Sequence, residues 1–245
     1  MKTFKEFISE QFIKTSGQLG SNPGGVYQHS ETGKKHYIKF PEHSDQAKSE
    51  VLSGKLQDLM GIKTLNPELA NIEGKEGVST KWKEGLTPIK LHDVKDMTPE
   101  QHHTIGKIFA HSVLTKNWDG VGTGLDYGQG NISSDKKGNL HGIDPGGSFE
   151  FRARGGHKPY TSDISEIRSL RDPNVNHESA HVFNTAFTMT PEALHQGIEA
   201  VRNIDQGKVY EAFKNSGLHN WEDLHRTFHE RRNKFLDHFQ SAVDN

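Results

Sequence analysis

The segment from Asn117 to Gly147 constrains the fold of this chain more than any other stretch of the sequence. An acid, Asp119, follows a predicted helix, an amide, Asn131, opens a predicted strand, and a second acid, Asp144, closes the return strand. The Lys-Lys-Gly-Asn turn between the strands indicates a hairpin, so Asn131 and Asp144 lie at the same end of it. Carboxylate and amide oxygens are ligands that hard cations such as Mg²⁺ prefer. The segment therefore predicts a cation site at the open end of a short hairpin.

The bulk composition narrows the kinds of protein that this chain can be. Its 245 residues suffice for one large domain or for two lobes that share a cleft. The formal net charge of −2 gives no global basic field, so we expect no nucleic-acid partner. The absence of cysteine excludes disulfides and thiolate metal sites and fits a reducing compartment. No apolar run reaches the length of a signal-peptide core or a membrane span, so we expect a cytoplasmic protein without a membrane partner.

The first third of the sequence predicts an N-terminal helix followed by a strand-rich lobe. Apolar residues at helical spacing indicate an amphipathic helix over residues 1–15; they are Phe4, Phe7, Ile8, Phe12 and Ile13. Residues 16–25 are rich in glycine and predict a loop, and two short apolar runs that follow predict a β-hairpin. A helix is predicted over residues 44–60 and a strand over residues 78–82. We assign residues 16–85 to this lobe.

The remaining residues, 86–245, predict a larger helical lobe. Thr98 and Gln101 form a capping box around Pro99 at the first helical position, which strongly indicates a helix start. Further helices are predicted to start at Thr190, near Lys208 and near Trp221. The fold class expected from this order is α+β, with a small strand-rich lobe, a larger helical lobe and a cleft between them.

Three features of the strand-rich lobe favour phosphate binding when they are taken together. Gly24 and Gly25 precede a strand, and glycine lets backbone N–H groups approach phosphate oxygens closely. Lys39 lies within an apolar strand, where it would point either to solvent or toward a phosphate. Glu50, inside the following helix, would be either a solvated residue or the acidic partner of Lys39. Each feature alone has an ordinary structural explanation, whereas the combination indicates a bound nucleotide.

Two aspartates compete for the role of general base. Asp119 directly follows a helix with a buried face, and Trp118 can anchor the turn that carries it. Asp126 precedes Asn131 with the D-x-x-x-x-N spacing of a known type of catalytic loop. Either carboxylate could accept a proton from a hydroxyl group, and we favour Asp119 over Asp126.

The chain resembles a known group of proteins in its central pattern. It resembles the atypical kinase-like folds of the HipA toxin-kinase and phosphoinositide-3/4-kinase type, and it looks most similar to a phage-encoded branch. That branch has the pattern N-W-D-x-x-G, N-I/L, x-D-x-G-G-S/A and F/Y-R-A-x-G. The matching segments of this sequence are residues 24–27, 37–40, 50, 117–122, 131–132, 143–148 and 151–155.

The resemblance implies a bilobal protein-kinase-like fold, ATP and Mg²⁺ as cofactors, and phosphate transfer to Ser or Thr of a protein. The acceptor would be a host protein or the protein itself, and AMP transfer is an alternative reaction. Residue by residue, the resemblance implies that Lys39 contacts phosphates and that Glu50 pairs with Lys39. It further implies Asp119 as the base and Asn131 with Asp144 as metal ligands.

One departure from the pattern keeps a non-enzymatic alternative open. Residues 122–130 lengthen the gap between Asp119 and Asn131 beyond that of the usual catalytic loop. A pseudokinase-like protein of a phage, with a structural or host-interaction role and virion association, is therefore a second hypothesis.

A different motif indicates a third hypothesis, a zinc hydrolase. His177, Glu178 and His181 form an H-E-x-x-H sequence, which on a helix places two histidines on one face with glutamate as base. The chain contains 16 histidines, so a chance match is readily produced. A third ligand would have to come from Glu192, Glu199 or Asp205. Surface histidines near a helix start are the favoured explanation.

Overall fold

The N-terminal part of the chain forms a five-stranded antiparallel sheet with the strand order β1-β2-β3-β5-β4. The computed structural model describes residues 12–19, 22–127, 129–184, 186 and 188–240. The strands are β1 Phe12–Ser16, β2 Gly24–His29, β3 Lys35–Lys39, β4 Glu68–Ile72 and β5 Lys75–Lys81. The predicted hairpin is thus confirmed as β2 and β3, and the predicted strand over residues 78–82 is the second half of β5.

The alternation of side chains along β3 sends two neighbouring residues to opposite faces of the sheet. Ile38 is fully buried in a cluster with Tyr27, Ala70 and Ile72. Lys39 is opposite Val78 of β5 and shares its face, which is covered by helix α1, Ser44–Leu59. The strand therefore directs the charged side chain into the interior of the protein rather than to solvent.

Helix α1 agrees closely with the helix predicted over residues 44–60. Ala47 and Val51 pack against Val78 of the sheet, and Glu50 lies between them on the buried side. Leu52 and Leu56 belong instead to the large core of the helical part. One helix thus contacts both cores, which places the glutamate beside the sheet.

The C-terminal part is mainly helical and begins with a second, smaller sheet. This sheet consists of β6 Thr87–Pro88, β7 Ile132–Ser134 and β8 Leu140–Gly142 in the order β6-β7-β8. The helices are α2 Pro99–Thr115, α3 Glu166–Ser169, α4 His177–Val182, α5 Pro191–Asn203, α6 Gln206–Lys214 and α7 Trp221–Gln240. Thr98 caps α2 in the predicted capping box, and Thr190 caps α5. The predicted hairpin between Asn131 and Asp144 is confirmed as β7 and β8.

Helices α2 and α5 pack unusually closely because glycines face each other at the contact. A Cβ atom built on Gly106 would lie 1.8 Å from the carbonyl oxygen of Ala193, and one on Gly197 would lie 2.4 Å from the carbonyl oxygen of Gly106. The central helix α2 is thereby fixed against α5, and its end, where Asp119 follows, is fixed with it.

One expectation about the N-terminal part needs correction. The sequence predicts a helix over residues 1–15, but Phe12–Ser16 form strand β1, and residues 1–11 lie outside the described part of the chain. Phe12 and Ile13 therefore belong to a strand and not to the predicted helix, because pairing with β2 outweighs a weak local periodicity. Strand β4 was not predicted from the sequence. The division into residues 16–85 and 86–245 stays a prediction.

None of the helices in the described ranges is long and apolar enough to cross a membrane.

Candidate active site

A cluster of three charged side chains joins the sheet to the helical part. The Nζ atom of Lys39 lies 2.9 Å from Oε1 of Glu50 and 2.7 Å from Oδ1 of Asp144. The side chains of Lys39 and Glu50 are 10% and 1% exposed, whereas that of Asp144 is 43% exposed. A buried cation thus connects a fully enclosed acid to one that remains open to a ligand.

The three charges depend on one another because two of them are buried. Burial alone would lower the pKa of Lys39, but the carboxylates of Asp144 and Glu50 outweigh it and raise that pKa. Burial raises the pKa of Glu50 to about 7, against the opposing effect of Lys39. Lys39 is therefore held as an ammonium ion, and Glu50 needs that ammonium ion to remain charged.

The loop after β8 holds Asp144 at the mouth of this cluster. The backbone N–H of Gly146 donates to Oδ1 of Asp144 at 3.1 Å. A Cβ on Gly146 would lie 3.0 Å from Oδ1 of Asp144 and 3.0 Å from Oε2 of Glu50, so a larger residue here would require the carboxylates to shift. The Pro145–Gly146–Gly147 sequence thus serves the close approach of the loop to α1 as well as the turn itself.

Asn131 and Asp144 lie at the same end of the β7–β8 hairpin, as predicted. Gly142 pairs with Ile132, and the N–H of Ile143 donates to the carbonyl of Asn131 at 2.9 Å, so the pairing extends to the residue before Asp144. The side-chain nitrogen of Asn131 donates to the carbonyl of Asp119 at 2.7 Å and to its Oδ2 at 3.2 Å. The amide oxygen of Asn131 is therefore the atom that faces away from Asp119.

Asp119 lies in a turn that side chains fix on both sides. Its N–H donates to Oδ1 of Asn117 at 3.0 Å, and Asn131 contacts its carboxylate. Burial, and next the charge of Asp144, raise its pKa to about 6, although the hydrogen bond from Asn131 opposes this. A carboxylate with a pKa near neutrality is well suited to accept a proton from a hydroxyl group.

The rival acid, Asp126, lies elsewhere. It belongs to a short 3₁₀ helix, Leu125–Tyr127, and its side chain is exposed. The structure therefore brings Asp119, not Asp126, into contact with Asn131.

The lengthened loop between Asp119 and Asn131 is held by the glutamate of the H-E-x-x-H sequence. Oε1 of Glu178 accepts the N–H groups of Gly124 and Leu125 at 2.7 and 3.3 Å. Asn176, the cap of α4, donates from its side chain to the carbonyl of Trp118 at 2.7 Å. Helix α4 thus orders the loop that carries the candidate base.

The zinc hypothesis finds no matching geometry in the part of the chain that the structure describes. Glu178 is engaged by the loop, and Nε2 of His181 lies 3.3 Å from the carbonyl oxygen of Leu91. Within the described ranges no group of three or more His, Cys, Asp or Glu side chains is placed to hold a metal ion. His177 is exposed at the start of α4, as expected for a surface histidine.

A buried network of hydrogen-bonded side chains connects α1, α2 and the Asp144 loop, and the sequence did not indicate it. The hydroxyl of Ser53, one turn after Glu50, lies 3.2 Å from Nε2 of His111 and 2.7 Å from the hydroxyl of Ser148. Ser148 donates in turn to the carbonyl of Pro145 at 2.8 Å. Ser148 falls in the D-P-G-G-S pattern, but no local signal marks Ser53 or His111.

A second set of hydrogen bonds, which leads to a buried ion pair, supports the turn of Asp119. The indole N–H of Trp118 donates to Oε1 of Glu166 at 3.1 Å, and Oε2 of Glu166 lies 2.5 Å from Nη2 of the fully buried Arg231. Arg231 also donates to the carbonyl of Val113 near the end of α2. Trp118 does anchor the turn, as the sequence suggests, and its partner comes from a distant helix.

The glycines at positions 24 and 25 lie in β2, after the β1–β2 loop. A Cβ on Gly24 would lie 2.4 Å from the carbonyl oxygen of Ile38, and one on Gly25 would lie 2.4 Å from that of Ser16. Close packing within the sheet accounts for both glycines, and their role in phosphate binding stays a prediction. The described ends of the loop contact β3 and the residue after it, because the N–H of Leu19 donates to the hydroxyl of Tyr37 at 3.3 Å and the N–H of Phe40 donates to the carbonyl of Pro23 at 2.7 Å.

Comparison with known proteins establishes the fold. The chain is similar to the crystal structure of the Helicobacter pylori proinflammatory kinase CtkA, with a TM-score of 0.60 and 14% sequence identity over 94% of this chain and 95% of that chain. It also aligns with the MAP kinase LmaMPK10 from Leishmania major at 12% identity, over 86% of this chain and 70% of that chain, but a TM-score of 0.27 supports no inference. No protein-family model and no curated protein sequence matches the chain. The predicted kinase-like α+β fold is confirmed.

Proposed function

We propose that this protein is a kinase that uses ATP and Mg²⁺ to phosphorylate Ser or Thr of a protein, or of itself. The observation that carries the proposal is the contact of Lys39 with both Glu50 and Asp144. It joins the sheet to the helical part of a kinase-like fold, beside the pair of Asp119 and Asn131. Phosphoryl transfer depends mainly on positioning and on charge neutralisation, and these residues offer both.

The donor set fits a hard cation. Asp144 is partly exposed at the end of the hairpin, and the amide oxygen of Asn131 remains as an acceptor because its nitrogen donates to Asp119. Mg²⁺ takes one or two protein oxygens and completes its shell with phosphate and water. When bound, Mg²⁺ would neutralise charge on the transferred phosphoryl group and orient that group. Asp144 and Asn131 are therefore the proposed metal ligands.

The other candidate residues have proposed roles in phosphate binding and in proton transfer. Lys39 would bind phosphate oxygens, and Glu50 would keep its ammonium group in place from the buried side. Asp119 would accept the proton of the acceptor hydroxyl at its carboxylate, while Asn131 orients that carboxylate. Gly24 and Gly25 would let the start of β2 approach the phosphates closely. Asp126 remains the alternative base because of its spacing to Asn131.

A labelling experiment tests the proposal. The protein is incubated with Mg²⁺ and ATP labelled on the γ-phosphate, alone and with a cell extract, and we expect label on the protein itself or on a protein of the extract. Asp144→Ala should abolish the labelling, and Lys137→Met, an exposed residue of the hairpin turn, should not. Labelling that survives Asp144→Ala would refute the proposed metal site.

The same experiment separates the alternatives. Transfer of label from α-labelled ATP would assign AMP transfer instead of phosphate transfer. A protein that gains thermal stability with Mg·ATP but transfers no label would be the pseudokinase-like alternative, with a structural or host-interaction role.

The biological setting is part of the proposal. The resemblance of residues 117–155 to a phage-encoded branch supports a phage gene, a host protein as substrate and action in the host cytoplasm, or in the virion. Flanking genes for phage proteins would support this setting, and a chromosomal locus without them would refute it.

A further inference from the structure

A lysine that no sequence motif marks lies between the two loops of the candidate site. Lys158 is 9% exposed, and its Nζ donates to the carbonyl of Lys116 at 2.7 Å and to that of Gly147 at 2.5 Å. Lys116 ends α2 and lies just before Asp119, and Gly147 lies just after Asp144. One ammonium group therefore holds the backbone next to each of the two acids.

The loops that Lys158 joins are also in direct contact. The N–H of Phe149 donates to the carbonyl of Thr115 at 2.6 Å. A Cβ on Gly147 would lie 2.8 Å from Oδ1 of Asn117 and 3.2 Å from Cβ of Asp119. The two segments thus pack backbone against backbone, and a shift of one changes the position of Asp119 relative to Asp144.

Both segments contain backbone in a conformation that L-residues rarely adopt. Lys116 has a φ of 54° and Phe149 a φ of 55°, both in the left-handed region. Such residues persist where the surrounding structure holds them, and they concentrate at functional sites. The hydrogen bonds of Lys158 lie beside both strained residues and contribute to holding them.

The surroundings of Lys158 disfavour a charged ammonium group. A buried lysine in such surroundings indicates a specific role. Burial, and next the charge of Lys116, lower its pKa to about 7, with Arg152 and Arg231 acting in the same direction and Glu166 against it. Its hydrogen bonds within the described part of the chain go to main-chain carbonyls. Buried ionisable groups with strong shifts are concentrated at functional sites.

We infer that Lys158 is a positioning residue that fixes Asp119 relative to Asp144 and thereby aligns the acceptor hydroxyl with the phosphoryl group. This inference rests on the proposed kinase function. Lys158 contacts neither acid side chain, so its effect passes through the two carbonyls. Because a misplacement of about 1 Å can reduce a rate on the order of 100-fold, loss of this contact should reduce turnover strongly.

The first test replaces Lys158 with a side chain of similar length and no hydrogen-bond donor. We expect Lys158→Met to lower kcat roughly 10- to 100-fold while KM for ATP stays within about threefold, because Lys39 and the metal ligands remain. Lys137→Met is the matched control and should keep both constants. A folded Lys158→Met variant with the kcat of the unaltered protein would overturn the inference.

A chemical rescue makes the test specific to the ammonium group. The chain contains no cysteine, so Lys158→Cys introduces a single thiol, and aminoethylation of it in denaturant restores a lysine-like side chain before refolding. We expect kcat to recover after aminoethylation of Lys158→Cys and to be unaffected by the same treatment of Lys137→Cys. Failure of the rescue, in a sample whose melting temperature recovers, would contradict the positioning role.

A third measurement does not depend on phosphate transfer. Hydrogen exchange of the amides of residues 116–120 and 146–149 should accelerate in both loops on Lys158→Cys and slow again after aminoethylation. Unchanged exchange would show that Lys158 does not hold the two loops together, whether or not the protein transfers phosphate. Accelerated exchange in a protein that transfers no phosphate would refute the kinase function alone.

Discussion

The two halves of the candidate site are held in different ways. Lys39 and Glu50 lie on a strand and a helix whose faces are packed on the protein core, and they meet in a buried ion pair. Asp119 lies in a turn whose supports, Glu178 and Glu166, come from later parts of the chain. The proposed phosphate half, Lys39 and Glu50, is thus held by regular structure. The proposed base half, Asp119 and its turn, follows the end of α2 and depends in addition on contacts between side chains and loops.

This difference matters for how each half would respond to substitution. A change in the phosphate half removes a charge from a fixed frame, and its effect should fall on phosphate binding and turnover. A change at a residue that holds the base half, such as Glu178, leaves every proposed reactive side chain unaltered but removes a contact that holds the loop.

The largest effect should come from the base itself. Asp119→Asn should reduce kcat roughly 100- to 10,000-fold, the range expected for loss of a general base, because the amide cannot take up the proton. Asp126→Asn is the matched change at the rival acid and should reduce kcat less than about threefold. Steady-state phosphorylation rates of both variants decide the assignment, and the reverse order of effects would transfer the role of base to Asp126.

A somewhat smaller effect is expected at Lys39. Lys39→Met removes the proposed phosphate contact and should reduce transfer roughly 100- to 1,000-fold, as for loss of one stabilising donor in other enzymes. It also leaves Glu50 buried without a cation, so this carboxyl should take up a proton at neutral pH. The measurements are kcat/KM and the proton uptake of the folded variant by carbonyl infrared absorption.

The control for this variant lies on the same strand. Lys35→Met changes an exposed residue of β3 and should alter neither measurement. Equal losses in the two variants would show that the strand, and not the Lys39 charge, determines activity.

A support of the base half should affect stability and activity together. Glu178→Ala leaves the N–H groups of Gly124 and Leu125 without their acceptor, which should cost roughly 1 to 3 kcal/mol of unfolding free energy. Urea unfolding and kcat are the measurements, and kcat should fall about tenfold as the loop loosens.

The neighbouring histidine provides the control for this change. His177→Ala alters the exposed first residue of the same helix and should leave both quantities unchanged. Zinc bound by the protein and lost in His177→Ala would contradict the loop-support role of Glu178 and revive the zinc hydrolase.

A final effect concerns the pH dependence of stability and the buried side chain of His111. Burial lowers the pKa of His111 to about 4, although its hydrogen bond to the main-chain carbonyl of Ser53 opposes this, whereas the unfolded chain retains the usual 6.5. Only the unfolded state binds the proton between these values, so the unfolding free energy falls as pH drops from about 6.5 toward 4. The loss attributable to His111 should reach up to roughly 3 kcal/mol.

Urea unfolding at a series of pH values measures this effect. His111→Gln should flatten the dependence between pH 6.5 and 4, and His229→Gln, an exposed change on α7, should leave the dependence as it is. An unchanged slope in His111→Gln would show that other groups cause the loss of stability in acid.

Local patterns in the sequence predicted most of the regular elements and indicated Lys39 and Glu50 as candidate site residues. The turn composition predicted the β7–β8 hairpin, the capping box predicted α2, and apolar periodicity predicted α1, because each depends on neighbours in the chain. From these elements and the resemblance, the pairing of Lys39 with Glu50 could be expected, whereas the contact of Lys39 with Asp144 appeared only in the structure. The missed strand β1 shows the limit, because a strand needs a partner that local periodicity does not reveal.

Only the tertiary structure decided which residues contact Asp119 and its turn. Asp119 and Asp126 differ little as sequence features, and the choice between them depends on which loop Asn131 meets. Glu178 belongs to a motif that suggests zinc, yet it supports the loop through an interaction more than fifty residues along the chain. Lys158 has no motif at all, and its role follows from two carbonyls that chain folding brings together. Such contacts join residues distant in sequence, so neither spacing nor periodicity encodes them.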